Sequence, residues 1–147
     1  MAPESRRPPE ARHTAGRPAA ELLRAARALL KQSVAPYSGF RVAAILEDGS
    51  ATEHPGVNVE SASYGLSICA ERNALFGALA RGASRFRRLA VVSETVRPVY
   101  PCGACRQTLY EHAPDLTLVL EREDGAVEEI PLRDLLPRPF LDPRRVR

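Results

Sequence analysis

Long apolar runs are missing from this 147-residue chain. No stretch approaches the ~20 residues that cross a bilayer as a helix, and the opening MAPESRRPPEARHTAGRP lacks the apolar middle of a secretion signal. These absences predict a soluble, cytoplasmic protein with no membrane partner. Lysine is almost absent, Lys31 being the only one, which leaves arginine to supply nearly all of the positive charge and carries no functional weight. Cysteine is scarce as well. Three is an odd number, two of the three lie close together, and no export signal accompanies them, so a disulfide framework is disfavoured and metal or redox chemistry becomes the better reading. No internal repeat is visible.

A chain of this length encloses one core and so one site. The formal net charge is +3, but it is carried by the ends: residues 1–18 contribute +2, residues 138–147 contribute +3, and residues 19–137 are net −2. A basic groove for nucleic acid is therefore not indicated in the body. The opening stretch, rich in Pro, Arg and Ala, has too few large apolar residues to offset the entropy of ordering. Residues 1–18 are expected as a disordered tail, 19–140 as the folded domain and 141–147 as a basic tail.

Between the tails, helical and extended patterns alternate. From Ala19 to Gln32, Leu22, Leu23, Ala26, Leu29 and Leu30 fall on one helical face. Phe40 to Leu46 and Ala51 to Val57 read as an antiparallel hairpin around Asp48-Gly49, residues that tolerate positive φ. A polar segment follows, then a helix from about Cys69 to Arg81 with Gly82 as its stop. Arg88 to Ser93 is a buried strand, Pro101 precedes a second helix that Pro114 ends, and Leu116 to Leu120 and Ala126 to Ile130 are strands joined by Asp124-Gly125. A short helix covers LRDLLP. The order α-β-β-α-β-α-β-β-α predicts an α/β class, a three-layer α/β/α sandwich around a mixed five-stranded sheet.

The chemistry concentrates in Cys69-Ala-Glu71 and Pro101-Cys102-Gly-Ala-Cys105, each at a helix start. Unpaired N–H groups there favour the thiolates that a metal requires. A Cys-x-x-Cys turn presents two sulfurs to one tetrahedral zinc ion, and a third from the other helix leaves one position open, which is the catalytic pattern. Three thiolates give such a centre a net charge of −1. Arg72 or Arg106 could withdraw part of that charge by hydrogen-bonding the sulfurs, and Arg72 is preferred. Glu71, two residues from a ligand, can reach the open position without binding the metal, as a proton carrier must.

These residues resemble the small cytidine deaminases with three-cysteine zinc sites. The similarity runs from Pro36-Tyr-Ser-Gly-Phe40 through Asn58-Val-Glu60, Ala62-Ser-Tyr-Gly65 and Cys69-Ala-Glu-Arg72 to Pro101-Cys-Gly-Ala-Cys-Arg-Gln107 and Leu135-Leu-Pro-Arg-Pro-Phe140. The resemblance implies one zinc per chain on Cys69, Cys102 and Cys105, a zinc-activated water that attacks C4 of a pyrimidine, and Glu71 passing protons to N3 and then to departing ammonia. It further implies that Asn58 and Glu60 bind the ribose hydroxyls, that Phe40 packs on the nucleoside and that the backbone near Ala70 contacts the base. Tyr64 and Phe140 would be contacts between subunits of a homotetramer with shared sites. The sequence departs from the family pattern at Ser61, Ala43 and Tyr100. Tyr100 adjoins the zinc-binding turn and is expected to reshape the base pocket.

Other readings of these residues compete. Cys102 and Cys105 could be a redox pair. A structural zinc site would need a fourth ligand, for which His13, His54 and His112 are the candidates. Glu71 taken alone reads as a carboxylate on a helix dipole, and Phe40, Tyr64 and Phe140 as ordinary packing. The preferred function is hydrolytic deamination of free cytidine and deoxycytidine in pyrimidine salvage. The alternatives are a deaminase of a modified cytosine nucleoside such as an antibiotic, an editor of nucleic acid, and a zinc-bearing module without activity. A carboxylate at Glu60 disfavours the polynucleotide, whose phosphodiesters it would repel.

Overall fold

Leucines at helical spacing bury the first helix, α1 (Ala19–Ala28), on the sheet through Leu22, Leu23 and Ala26. The computed structural model describes residues 15–142 and Arg144. The expected tails therefore lie largely outside the described residues. Pro18 cannot extend the helix backwards, and its carbonyl accepts the N–H groups of Glu21 and Leu22. The expected helix to Gln32 is interrupted: Leu29 bonds back to the Ala26 carbonyl and Leu30–Gln32 form a 3₁₀ turn. Tightening of this kind is common at helix ends, and it keeps Leu30 buried.

Five strands follow: β1 (Val42–Glu47), β2 (Glu53–Val57), β3 (Arg88–Ser93), β4 (Thr117–Glu121) and β5 (Val127–Pro131). They form one sheet in the order β2-β1-β3-β4-β5. β3 and β4 run parallel, with Arg88 opposite Thr117, and the other three pairings are antiparallel. Between them come α2 (Ala70–Ala80), α3 (Gly103–His112) and the short α4 (Leu132–Leu135). Alternation along the strands sends Ala43, Ile45, Ala90, Val92 and Val119 towards α1. The opposite face, with Ala44, Leu46, Val91, Leu118 and Leu120, packs on Ala70, Ala74 and Leu75 of α2 and Leu109 of α3. The result is the three-layer α/β/α sandwich around a mixed sheet.

The β1–β2 hairpin is antiparallel, as its sequence predicts, but its turn is built differently. Neither Asp48 nor Gly49 has positive φ; Ala51 does, at 61°. Ala51 N–H bonds the Asp48 carbonyl, and the Asp48 side chain accepts the N–H groups of Ser50 and Thr52. An Asx-type acceptor thus shapes a longer turn than the Asp-Gly pair suggests. At the other end of α2 the expectation holds: Gly82 has φ of +79°, and Ala83 N–H caps the Ala78 carbonyl.

Arg17, at the edge of the expected tail, is tied to the body. Its guanidinium pairs with Glu53 at 2.7 Å, and its carbonyl accepts a hydrogen bond from Arg88. Arg88 in turn pairs with the fully buried Glu47. A buried carboxylate needs such a partner, and the Arg17 carbonyl helps to hold the guanidinium that supplies it. Among the described residues, no helix is long and apolar enough to cross a membrane.

Two contacts fix where α2 begins. Gly56 on β2 touches the helix backbone so closely that a Cβ there would lie 2.3 Å from the Ala70 carbonyl oxygen and 2.4 Å from the Ala74 nitrogen. Asn73 Nδ2 donates to the Val57 carbonyl at 2.9 Å. The first turn of α2 is therefore pinned against the sheet edge, and the residue before it, Cys69, is placed with it.

Candidate metal and active site

Cys69 and Cys102 are the residues immediately before α2 and α3, both with extended backbone, and Cys105 lies in the first turn of α3. The two helix starts bring the three sulfurs within 4.8 Å of one another, with Cys69 Sγ 4.0 Å from Cys102 Sγ. A tetrahedral ion with Zn–S bonds of ~2.3 Å would place its sulfurs ~3.8 Å apart, so the trio needs to contract only slightly. Cys105 is buried, Cys69 half-buried and Cys102 exposed, which leaves a solvent side to the cluster. The Cys69 thiol is lowered to about 5 by its hydrogen bond with Cys105 and by those with Arg72 and Cys102, against the effect of burial. The same bond, together with burial and the nearby Glu71, pushes Cys105 up. A divalent cation among these sulfurs would displace the remaining protons.

Among the described residues no fourth His, Cys, Asp or Glu donor joins the three. His54 is engaged elsewhere, with Nε2 3.0 Å from Asp48 Oδ2, and His112 sits in the last turn of α3. His13 lies outside the described residues. The donor set fits one zinc ion per chain with a position left over, the open arrangement of a catalytic site. Beside it, Glu71 occupies the first turn of α2 at 4% exposure. Burial raises its carboxyl to about 7, helped by the charge on Cys69 and opposed by its own backbone N–H.

Comparisons with known proteins agree with this geometry. Residues 17–120 match the family model for the cytidine and deoxycytidylate deaminase zinc-binding region. The chain belongs to the cytidine deaminase family. A cytidine deaminase of Halalkalibacterium halodurans is 47% identical over 108 residues, covering 71% of this chain and 80% of that protein. One from Mycobacterium tuberculosis is 40% identical over 107 residues, covering 71% and 76%. The crystal structure of cytidine deaminase from Burkholderia pseudomallei superposes with a TM-score of 0.77 at 47% identity, over 82% of this chain and 97% of that one. This chain is thus an enzyme of the deaminase class.

In this deaminase the two candidate arginines part ways. Arg72 Nη2 lies 3.8 Å from Cys69 Sγ. Arg106 turns away, its Nε donating to the Pro101 carbonyl at 2.7 Å and its Nη1 to the Leu135 carbonyl at 3.0 Å. Ala70 is buried at the start of α2, and Phe40 is half-buried against the same core cluster.

Asn58 serves the fold directly. Its Oδ1 accepts Val42 N–H at 2.8 Å and the Ser33 hydroxyl, and its Nδ2 donates to the Phe40 carbonyl at 2.8 Å. Glu60 and Tyr64 are brought together in an open cleft of about 350 Å³, shared with Tyr37, Ser38 and Ser67. The Glu60 carboxylate accepts the Tyr37 and Ser38 N–H groups and the Ser38 hydroxyl. The Ser38 hydroxyl, followed by the Tyr37 amide, holds it below the usual carboxylate range. Neither the cysteine trio nor Phe140, which is 73% exposed, lines this cleft.

Tyr100 is directed elsewhere than expected. Its hydroxyl faces the Glu128 carboxylate on β5 at 3.2 Å, and the ring lines a second cleft with Pro98, Arg122, Glu123 and Asp124. Ser61 is a loop residue, accepting Ser63 N–H on its hydroxyl and donating its own N–H to Ser67. Ala43 is buried against α1. Tyr37, Ser38 and Gln107 lie inside the quoted motifs, but their bonds to Glu60 and Phe140 span 22 to 33 residues, which no local pattern reveals.

Proposed function

We propose that the protein hydrolyses the 4-amino group of free cytidine and deoxycytidine, yielding uridine or deoxyuridine and ammonia, in cytoplasmic pyrimidine salvage. The observation that carries this reading is the combination of three converging thiols, no fourth donor among the described residues, and a buried carboxyl two residues from a ligand. When bound, zinc supplies Lewis acidity that makes water a nucleophile near neutral pH. Glu71, with a carboxyl poised at about 7, takes the water's proton and delivers it to N3 as the water oxygen bonds to C4, then moves the proton of the new C4 hydroxyl to the amino group as the C4–N bond breaks. One water is consumed and one ammonia released, so Glu71 ends each cycle as it began. Arg72 offsets the negative charge of the thiolates.

Recognition of the nucleoside falls to Phe40 against its rings, the backbone near Ala70 at the base, and Glu60 and Asn58 at the sugar. Asn58 already spends its Oδ1 and one N–H on the fold, which leaves its second N–H for a ribose oxygen. The Glu60 carboxylate, ionised and aimed by three donors, accepts free hydroxyls and repels phosphodiesters, which favours a nucleoside over a polynucleotide. Tyr64 and Phe140, 77% and 73% exposed, fit contacts between neighbouring copies in a homotetramer that completes each site.

A substrate panel tests this reading. Cytidine and deoxycytidine should lose their cytosine absorbance, while a cytosine within an oligonucleotide should react far more slowly. Turnover of a modified cytosine nucleoside with cytidine inert would transfer the site to that substrate.

A further inference from the structure

Gln107 holds both backbone polar groups of Phe140. Phe140 N–H donates to Gln107 Oε1 at 2.9 Å, and Gln107 Nε2 donates to the Phe140 carbonyl at 2.9 Å. The second Nε2 hydrogen goes to Glu111 Oε1, also at 2.9 Å. All three partners demand the same orientation of the amide: a flipped Gln107 would set its oxygen against a carbonyl and a carboxylate and its nitrogen against an N–H. The clamp therefore has one satisfied state.

The stretch leading to Phe140 is held at its other end by Arg106, whose Nη1 donates to the Leu135 carbonyl. Pro137 and Pro139, which lie between the two anchors, each fix one φ. Arg106 and Gln107 directly follow Cys105 on α3, so the segment is referenced to the helix that carries two of the three thiols. Yet the Phe140 ring, the group these bonds aim, stays 73% exposed on its own chain. A backbone tied down at both polar groups while its aromatic ring reaches into solvent is an anchor prepared for something outside the chain. Ordering it beforehand removes an entropy cost from whatever it contacts.

We propose that Gln107 is a positioning residue, which sets the direction of the Phe140 ring so that it enters the nucleoside site of a neighbouring copy. This rests on the reading of Phe140 as a contact between subunits given under Proposed function. Gln107 itself touches no substrate. Its effect on the reaction runs through Phe140 and through nothing else.

The test is a double-mutant cycle on the zinc-loaded enzyme, with KM and kcat for cytidine measured for Gln107→Ala, Phe140→Ala and the pair. Zinc content, thermal midpoint and sedimentation are recorded for each. Gln107→Ala is expected to raise KM about 3- to 10-fold, the net scale of about one hydrogen bond, with kcat little changed and one zinc retained. Phe140→Ala should raise KM at least as much, and the double variant should match Phe140→Ala alone. An unchanged KM in Gln107→Ala beside a raised KM in Phe140→Ala would overturn the proposal while sparing the subunit-contact reading. So would a Gln107→Ala effect that persists undiminished in the Phe140→Ala background. An unchanged KM in Phe140→Ala would overturn the subunit-contact reading first, and the clamp's role with it.

Discussion

Arg72 Nη2 lies 3.8 Å from Cys69 Sγ, and the two residues are one helical turn apart at the start of α2. The same turn thus supplies a thiolate ligand and a cation to temper it. Replacing Arg72 with Gln removes the charge and keeps much of the side-chain volume. A ~10- to 100-fold loss of zinc affinity or activity is expected, the usual cost of losing a group that supports a ligand. Zinc retained after dialysis against a chelator, measured beside turnover, checks it; Arg106→Gln should disturb the Pro101 and Leu135 contacts instead.

Asn58 divides its side chain between fold and substrate. Truncation to Ala leaves the Val42 N–H, the Ser33 hydroxyl and the Phe40 carbonyl without their partner. Buried polar groups left in that state cost ~1–3 kcal/mol, so a lower urea midpoint should accompany any rise in KM. Glu60→Ala, whose donors face an open cleft, should raise KM with little change in the midpoint.

Gly56→Ala is expected to be far worse than its size suggests. The added Cβ meets backbone atoms of α2 at 2.3 and 2.4 Å, and backbone cannot swing aside as a flexible side chain would. A loss of ~1–3 kcal/mol is the scale of such overpacking. Because the displaced turn carries Cys69, zinc retention should fall together with the thermal midpoint.

Asp48 sets an acid limit. Burial alone would raise its pKa, but hydrogen bonds from His54 and from the Ser50 and Thr52 N–H groups outweigh this and lower it. A carboxylate depressed in the folded state contributes stability that is fully present above its unfolded value of about 3.9 and is lost as pH falls through the lower folded value. Denaturant midpoints measured downward from pH 5 should therefore decline less steeply for Asp48→Asn than for the wild type.

Elements whose boundaries depend on local chemistry are legible in the sequence. Arg88 to Ser93 is the strand expected, Gly82 ends α2, and the three cysteines of the two motifs come together as their spacing suggests, with Glu71 buried in the first turn of α2. Less legible are features decided by distant partners. The α1 leucines continue their period to Leu30, but the chain tightens into a 3₁₀ turn before Ser33 and Val34, whose side chain and backbone pair with Asn58 and Glu60. The Asp48 carboxylate reshapes a turn that the Asp-Gly pair alone suggested would be tighter. Tyr100 finds Glu128, 28 residues on, and Gln107 finds Phe140, 33 residues on. Sequence spacing carries no record of such pairings.

The most direct measurement is the loss of cytosine absorbance when zinc-loaded protein is mixed with free cytidine, run beside Glu71→Gln. Turnover by the wild type is expected, with a loss of about 10²- to 10⁴-fold in Glu71→Gln at one retained zinc per chain, the range a positioned proton carrier supplies. Equal turnover by the two proteins would remove Glu71 from the chemistry. No turnover by a wild type holding one zinc per chain would contradict deamination of free cytidine.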